Sequence, residues 1–521
     1  MFNYTCTKRS KAILLWTLGL LLLGSTTIRA QTPPITPAWA LGHIVWEDNL
    51  NTATGVDSLI NGYLGRGIPL DGLIIDSPWS QSYNDFIWDR ERYPDPETMV
   101  GSLKKRGVKV ILWLTGFVNS RGTDTPEQQA PGYEEVRRLG YAVDGGASHS
   151  WWKGEGVHVD FTNPDAVRWW NEQLDRVFGN GVVGFKVDNG NTYLDDFVET
   201  SKGKLTQQEF ARYYYDSMFD FVRERSDLGV TISRPYSYQG DFQADPSKVN
   251  LGWCGDFDGD WKGLKFQIKN IYRSSLAGYA AVGCEVGGFW GPAFTGEELV
   301  RYAQFGSMTA CMINGGENGA FTHRLPWYHG EDELAAYTAA VRLHRQLRPY
   351  KFSTIVEAHL CGGTLMRDCS FAEESHQVGD FVFTKALTEE GGHALFHLPS
   401  DGEWVDYWTG EVYSAGTKID QTYALDRFPL FFKCGSVIPL SIDGKLVFWI
   451  FPNGNTSQVL HLPKGEGTEY YDCRVSYNAR SGRLSICSDQ DQEITVIVKG
   501  AKKEKAKTMY GRNLRFFIKV R

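Results

Sequence analysis

Over residues 40–350 the chain alternates short, almost wholly apolar runs with amphipathic helical stretches, and several runs stop abruptly at a charged residue. Leu73-Ile74-Ile75 stops at Asp76, residues 182–187 stop at Asp188, and Val230-Thr231-Ile232-Ser233 stops at Arg234. The run 108–114, which contains Trp113, follows a helical stretch over 96–106, and the run 157–161 precedes one over 163–178. Strands that are apolar on both faces need cover on both faces, and parallel neighbours need a crossover between them. Repeated strand–helix units over about 300 residues therefore predict an α/β fold, a (β/α)8 TIM barrel. Such a barrel carries its chemistry just beyond the C-terminal ends of its strands, where Asp76, Asp188 and Arg234 fall.

Past residue 350 the pattern changes. Short strand-like runs such as Phe381-Val382-Phe383 and Ala394-Leu395-Phe396-His397-Leu398 are separated by Gly, Asp and Ser turns. This predicts one or two small C-terminal β-sandwich domains. The expected organisation is a barrel over 31–350, a proximal β-sandwich over 351–440 and a distal β domain over 441–521. The basic segment 502–507 reads as a solvated loop.

Residues 1–30 read as a signal peptide. Lys8, Arg9 and Lys11 precede an apolar run over 12–23, and Ala30 offers a small residue for cleavage. The run is short for a membrane span and no second one follows, so the expectation is a secreted or periplasmic protein with no stable span after cleavage. Lys and Arg number 54 against 62 Asp and Glu, a net charge of −8. That balance excludes nucleic acid as a partner, since phosphate binding needs a basic surface. Of nine Cys, Cys6 belongs to the signal segment. Among the others, proximity suggests Cys361 with Cys369 and Cys473 with Cys487, while Cys254, Cys284 and Cys311 read as free and buried. No spacing resembles a zinc site, and no metal or cofactor is expected.

Two acidic segments concentrate the chemistry. Gly184-Phe185-Lys186-Val187-Asp188 delivers one carboxylate from a strand end, and Trp253-Cys254-Gly255-Asp256-Phe257-Asp258-Gly259-Asp260-Trp261 supplies others from a loop. Cleaving a glycosidic bond with retention needs one carboxylate to attack the anomeric carbon and another to protonate the leaving oxygen. Lys186, two residues before Asp188 on the same strand face, is expected to hold its charge. Trp253 and Trp261 are expected to wall Asp256 and raise its pKa by desolvation. Asp258 and Asp260 are rivals to Asp256. A calcium loop starting at Asp256 would need Glu at its twelfth position, where the chain has Gln267.

In order along residues 40–440, these and further motifs resemble glycoside hydrolase family 31, the retaining α-glucosidases, α-xylosidases and α-galactosidases. The further motifs are Asp71-Gly72-Leu73-Ile74-Ile75-Asp76, Tyr93-Pro94-Asp95-Pro96, Ser233-Arg234, Val286-Gly287-Gly288-Phe289, Trp408-Thr409-Gly410 and Gly435-Ser436-Val437-Ile438-Pro439-Leu440. The resemblance implies an exo-acting α-glycosidase on an oligosaccharide or glycoside, working through a covalent glycosyl-aspartate. It implies Asp188 as nucleophile, Asp256 as acid/base, and Asp76 and Arg234 as ligands of substrate hydroxyls, with Trp79 and Trp113 as pocket walls. Lys186, Trp253 and Glu285 complete the expected binding set. Glu285 stands where the family usually has Asp, and Cys284 where many members have a sugar-binding His, a departure from glucose-type contacts. Asp76-Ser77-Pro78-Trp79 is more similar to the galactosidase-like branch. Most members carry a β-sandwich ahead of the barrel. Here the first barrel strand is expected at 42–46, directly after the signal segment, and the long connection over 126–153 is expected to supply a wall. The same chemistry permits transglycosylation, and a non-catalytic carbohydrate binder on a degenerate barrel is the alternative of a different class.

Overall fold

A computed structural model describes residues 32–47, 51–179, 181–188, 193–235, 244–291, 293–315, 321–499 and 504–519. The segment read as a signal peptide lies outside them. Eight strands, numbered in chain order, form the central sheet: β1 (His43–Glu47), β2 (Gly72–Ile75), β3 (Lys109–Leu114), β4 (Val182–Val187), β5 (Val230–Ser233), β6 (Leu251–Gly252), β7 (Cys284–Val286) and β8 (Met312–Asn314). Their order is β6-β5-β4-β3-β2-β1-β8-β7 and every ladder is parallel. A parallel bridge from Gly252 to Val282 joins β6 to the segment entering β7 and closes the sheet into the (β/α)8 barrel.

Strand alternation builds two apolar layers. Val45, Leu73, Ile75, Val110, Leu112, Phe185 and Met312 face the surrounding helices. Ile44, Trp46, Ile74, Ile111, Ile232, Leu251, Trp253 and Ile313 fill a second cluster inside the barrel. The helices start where the sequence supplies caps. Asp95, Asn163, Thr206, Asp260 and Thr295 each accept a first-turn N–H, and Thr206 and Thr295 form full capping boxes with Glu209 and Glu298. Each such cap stabilises its helix by about 1 kcal/mol.

Two expectations about elements are corrected here. The run 157–161 is not a barrel strand. Gly154–His158 pairs antiparallel with Phe117–Gly122 and His149–Trp151 in a three-stranded sheet inserted between β3 and β4. The apolar character is real, but it serves this insertion, where Trp151 stacks on Phe117 at 5.1 Å. Helical structure also continues past residue 350, because the helix Arg348–Cys361 packs Phe352, Ile355 and Val356 into an apolar cluster shared with Trp404, Leu430 and Leu440 of the C-terminal sheets.

Beyond that helix lie a six-stranded antiparallel sheet that starts at Met366–Ser370, a two-stranded one of His393–His397 with Lys418–Thr422, and a second six-stranded sheet that starts at Ser436–Ile442. The connection after Asn455–Pro463 reaches back to the barrel. Glu466 accepts from Trp39 N at 3.0 Å and pairs with Lys109 at 2.7 Å. The basic tail is no loop from residue 504 onward: Glu504–Phe517 pairs antiparallel with Arg483–Lys499, while Lys502 and Lys503 lie outside the described residues.

None of the eight described cysteines forms a disulfide, which overturns both suggested pairings. Cys473 sits opposite Ser488, and Cys487 opposite Arg474. Directly opposed residues share a sheet face and successive ones alternate, so Cys473 and Cys487 point to opposite faces. Cys369 packs against the barrel's helix-side cluster, and burial pushes its thiol up to about 12. Cys254, Cys284 and Cys311 are free and buried, as expected. Adding a reductant should therefore leave the thermal unfolding midpoint unchanged; a fall of several degrees in differential scanning fluorimetry would reveal a structural disulfide.

Candidate active site

The C-terminal ends of β2 to β7 bring charged side chains to one end of the barrel interior. Lys186, on β4, is the hub. Its Nζ lies 2.9 Å from Asp76 Oδ2, with both side chains only 5 % exposed. It is held between two indoles, 3.9 Å from the ring centroid of Trp46 and 4.4 Å from that of Trp253. Cation–π contact of this kind strengthens when the cation is desolvated. Burial alone would lower the Lys186 pKa, but Asp76, Asp188, Glu285 and Asp256 around it more than offset that, so its pKa is raised and it stays charged. Burial leaves the Asp76 carboxyl above the ordinary carboxylate range even beside Lys186. Asp76 also accepts from Ser77 N at 2.8 Å. The expected direct pairing of Lys186 with Asp188 is thus replaced: the ammonium goes to Asp76, and its effect on Asp188 acts through space.

Asp188 has two other partners. Trp113 Nε1 donates to Asp188 Oδ2 at 3.1 Å, and Arg234 Nε lies 2.8 Å from Oδ1. The second is a charge contact that is not aligned as a hydrogen bond. The same guanidinium reaches the second acid, with Arg234 Nη2 donating to Asp256 Oδ2 at 3.4 Å. One buried Arg, stacked 4.3 Å from the Trp253 ring, therefore spans both carboxylates. Gly255 permits this approach. Its φ of 92° is unfavourable for other residues, and a Cβ there would lie 2.7 Å from Arg234 Nη1. The rival acids are accounted for locally. Asp260 caps the helix Trp261–Leu276 through Gly263 N at 2.8 Å, and Asp258 is exposed. Trp253 stacks on Lys186 and Arg234, while Trp261 is the first residue of that helix and packs against the helix-side cluster.

Trp79 sits one layer back from the pocket face. It is buried, and its Nε1 donates to the Trp113 carbonyl at 2.8 Å. Glu285 is brought to the group: Asp256, Lys186, Arg324 and Arg234 all act on its carboxyl. Several contributors escaped the sequence reading. Trp46 forms the second wall of Lys186. Arg324 donates to Gly288 O at 2.7 Å and to Trp290 O at 2.8 Å, fixing the turn after β7. Trp152 and Tyr193, each 38 % exposed, lie 5.2 Å apart with their rings tilted, and Trp152 meets Trp113 edge-on at 6.1 Å. Trp152 comes from the β3–β4 insertion, which includes the connection flagged as a possible wall. Its signal was the Trp151-Trp152 doublet inside an over-long βα connection.

Two acids bridged by one Arg at the mouth of a barrel, with aromatic rings beside them, suit attack on and protonation of a sugar bond. Comparison with known proteins agrees with that chemistry. Residues 33–354 match the glycosyl hydrolases family 31 TIM-barrel domain, and residues 366–438 match the family 31 C-terminal domain. The chain belongs to glycosyl hydrolase family 31. This family 31 chain is 26 % identical over 431 residues to alpha-glucosidase 2 of Bacillus thermoamyloliquefaciens, covering 78 % of this chain and 54 % of that protein. It is 25 % identical over 446 residues to an alpha-xylosidase of Emericella nidulans, covering 78 % and 54 %. The chain thus spans about half the length of these curated relatives. Among solved structures, the cycloalternan-forming enzyme of Listeria monocytogenes superposes with a TM-score of 0.79 at 23 % identity, covering 90 % of this chain and 49 % of that one. The likeness to that structure is one of fold. No helix among the described residues is long and apolar enough to cross a membrane.

Proposed function

We propose that this family 31 chain is an exported retaining exo-α-glycosidase that removes terminal α-linked sugars from an oligosaccharide or glycoside. The observation that carries the reading is Arg234, which contacts Asp188 and Asp256 together and so ties an attacking group and a proton carrier to one frame. In the first step an oxygen of Asp188 attacks the anomeric carbon. The bond from that carbon to the leaving oxygen breaks, and that oxygen takes the proton of Asp256. In the second step Asp256 takes a proton from water, the water oxygen attacks the same carbon, and Asp188 leaves as a carboxylate. Trp113 N–H orients Asp188, and charged Lys186 offsets the charge of the carboxylates around it. Asp76 and Arg234 bind hydroxyls of the sugar, as charge-assisted bonds suit.

Support for α-linked glucose or xylose comes from relatives called alpha-glucosidase and alpha-xylosidase, and support for galactose from the Asp76-Ser77-Pro78-Trp79 segment. Transfer to a sugar acceptor uses the same intermediate. That second reading is favoured by the exposed Trp152 and Tyr193 beside Asp188 and by an isomaltosyltransferase of Sporosarcina globispora among the relatives. Export rests on the 1–30 segment. A panel of 4-nitrophenyl α-glucoside, α-xyloside, α-galactoside and α-N-acetylgalactosaminide tests the activity, with NMR reporting the anomer first released. The expected result is turnover of at least one α-glycoside with the α-anomer first. Turnover of β-anomers alone, or inversion, overturns it.

A further inference from the structure

Glu285 stands among the charged groups of the barrel mouth, and the proposed steps give it no task. Its main chain is fixed at both ends by Gln267, on the helix Trp261–Leu276. Gln267 Nε2 donates to the Glu285 carbonyl at 3.0 Å, and Gln267 Oε1 accepts from Glu285 N at 2.6 Å. Its strand neighbours Cys284 and Val286 pack into the helix-side cluster, so alternation turns Glu285 inward, toward Lys186 and Asp256. The residue is 2 % exposed, yet neither carboxyl oxygen has a hydrogen-bond partner among the described residues. Buried polar atoms are almost always paired, so two such oxygens facing the group that holds Asp256 and Lys186 mark places where a ligand's polar groups complete the site. The charged groups acting on it are Asp256 beyond β6, Lys186 on β4, Arg324 on the helix Phe321–Arg324 and Arg234 beyond β5. Burial and then Asp256 push the Glu285 carboxyl up to about 8, against the pull of the three cations. At neutral pH it therefore carries its proton and offers one donor and one acceptor.

We propose that Glu285 is a specificity-determining residue whose carboxyl hydrogen-bonds to a hydroxyl of the sugar whose bond is cleaved. The inference rests on the glycosidase reading above and adds which side chain ranks the sugars. A site built to pair with a hydroxyl discriminates strongly, because a sugar lacking it at that position leaves buried groups unpaired. Ionisation at alkaline pH would add a charge beside Asp256 and remove the donor, so substrate capture should weaken there.

The test compares Glu285→Gln, which keeps a donor, an acceptor and the length, with Glu285→Asp, which withdraws the carboxyl. Both are assayed on 4-nitrophenyl α-glucoside, α-galactoside and α-xyloside from about pH 5 to about pH 9.5. The wild type should lose kcat/KM on the alkaline side of a midpoint near 8, and Glu285→Gln should lose that limb while outperforming Glu285→Asp. Glu285→Asp should lower kcat/KM on the preferred sugar by about 10- to 100-fold and shrink its margin over the other two, as small misplacements do. An unchanged sugar ranking in Glu285→Asp, or an alkaline limb kept in Glu285→Gln, overturns the proposal. A wild type inactive on every α-glycoside would sink the glycosidase reading instead. Binding of the three methyl α-glycosides, followed by saturation-transfer NMR, would then still decide whether Glu285→Asp reorders the sugars.

Discussion

Replacing Asp188 by Ala should lower kcat on an activated α-glycoside by a factor on the order of 10^4 to 10^6, the scale seen when a covalent nucleophile is removed. Trp113 N–H donates to one of the Asp188 oxygens and the Arg234 guanidinium lies against the other, and the residue directly follows β4, where the strand end would deliver it to the anomeric carbon. Truncation empties that space and leaves the Trp113 donor facing it. Azide is small and anionic, and it should enter there and attack the anomeric carbon directly. A single displacement inverts configuration, so the rescued product should be the β-glycosyl azide, read by NMR. A fall in kcat of less than tenfold, or an α-azide, would remove Asp188 from the role. The same variant addresses the binding alternative, since a non-catalytic binder has no turnover to lose and would keep its sugar affinity. Glu285 needs no such replacement to be examined, because its effect is on ranking and pH rather than on the existence of turnover.

Three of the residues legible in the sequence share one property: each ends an apolar run. Asp76, Asp188 and Arg234 each follow the last residue of their strand, so a barrel reading sends all three to the same rim without knowledge of contacts. Partnerships were less legible. Lys186 was assigned to Asp188 because they are two residues apart, but its ion-pair partner is 110 residues away and is set by where β2 stands in the closed barrel. Trp46 was overlooked because β1 ends in Trp46-Glu47 with no catalytic-type signature, although its alternation matches that of the interior strand residues. The run 157–161 has the composition of a barrel strand, and only its antiparallel pairing with Phe117–Gly122 shows otherwise. The pairing of Cys473 with Cys487 fails for a related reason. Nearness along two paired strands does not say which face a side chain takes, and the register sends Cys473 and Cys487 to opposite ones. Sequence spacing likewise gave no ranking among Asp256, Asp258 and Asp260; the ranking comes from Arg234, from solvent and from the helix cap.

That ranking sets up the second large effect. Asp256→Ala should slow turnover by about 10^2- to 10^4-fold, as loss of a general acid/base does, but unequally across leaving groups. A fluoride or nitrophenolate departs without needing a proton, so the first step should survive and the glycosyl-enzyme should accumulate. Pre-steady-state release of nitrophenol should then show a burst, with hydrolysis of the intermediate limiting. A disaccharide has a poor leaving group, so its cleavage should fall furthest. Azide requires no deprotonation and should speed the second step, entering on the face the leaving group vacated and giving the α-glycosyl azide, opposite to the product from Asp188→Ala. Asp258→Ala is the control, because that side chain is exposed and caps nothing. Equal losses on fluoride and disaccharide, or an effect at Asp258 as large as at Asp256, would mean that the carboxylate on Arg234 only shapes the pocket. The two azide products together test more than either loss of rate, since only acids on opposite sides of the same anomeric carbon give opposite stereochemistry.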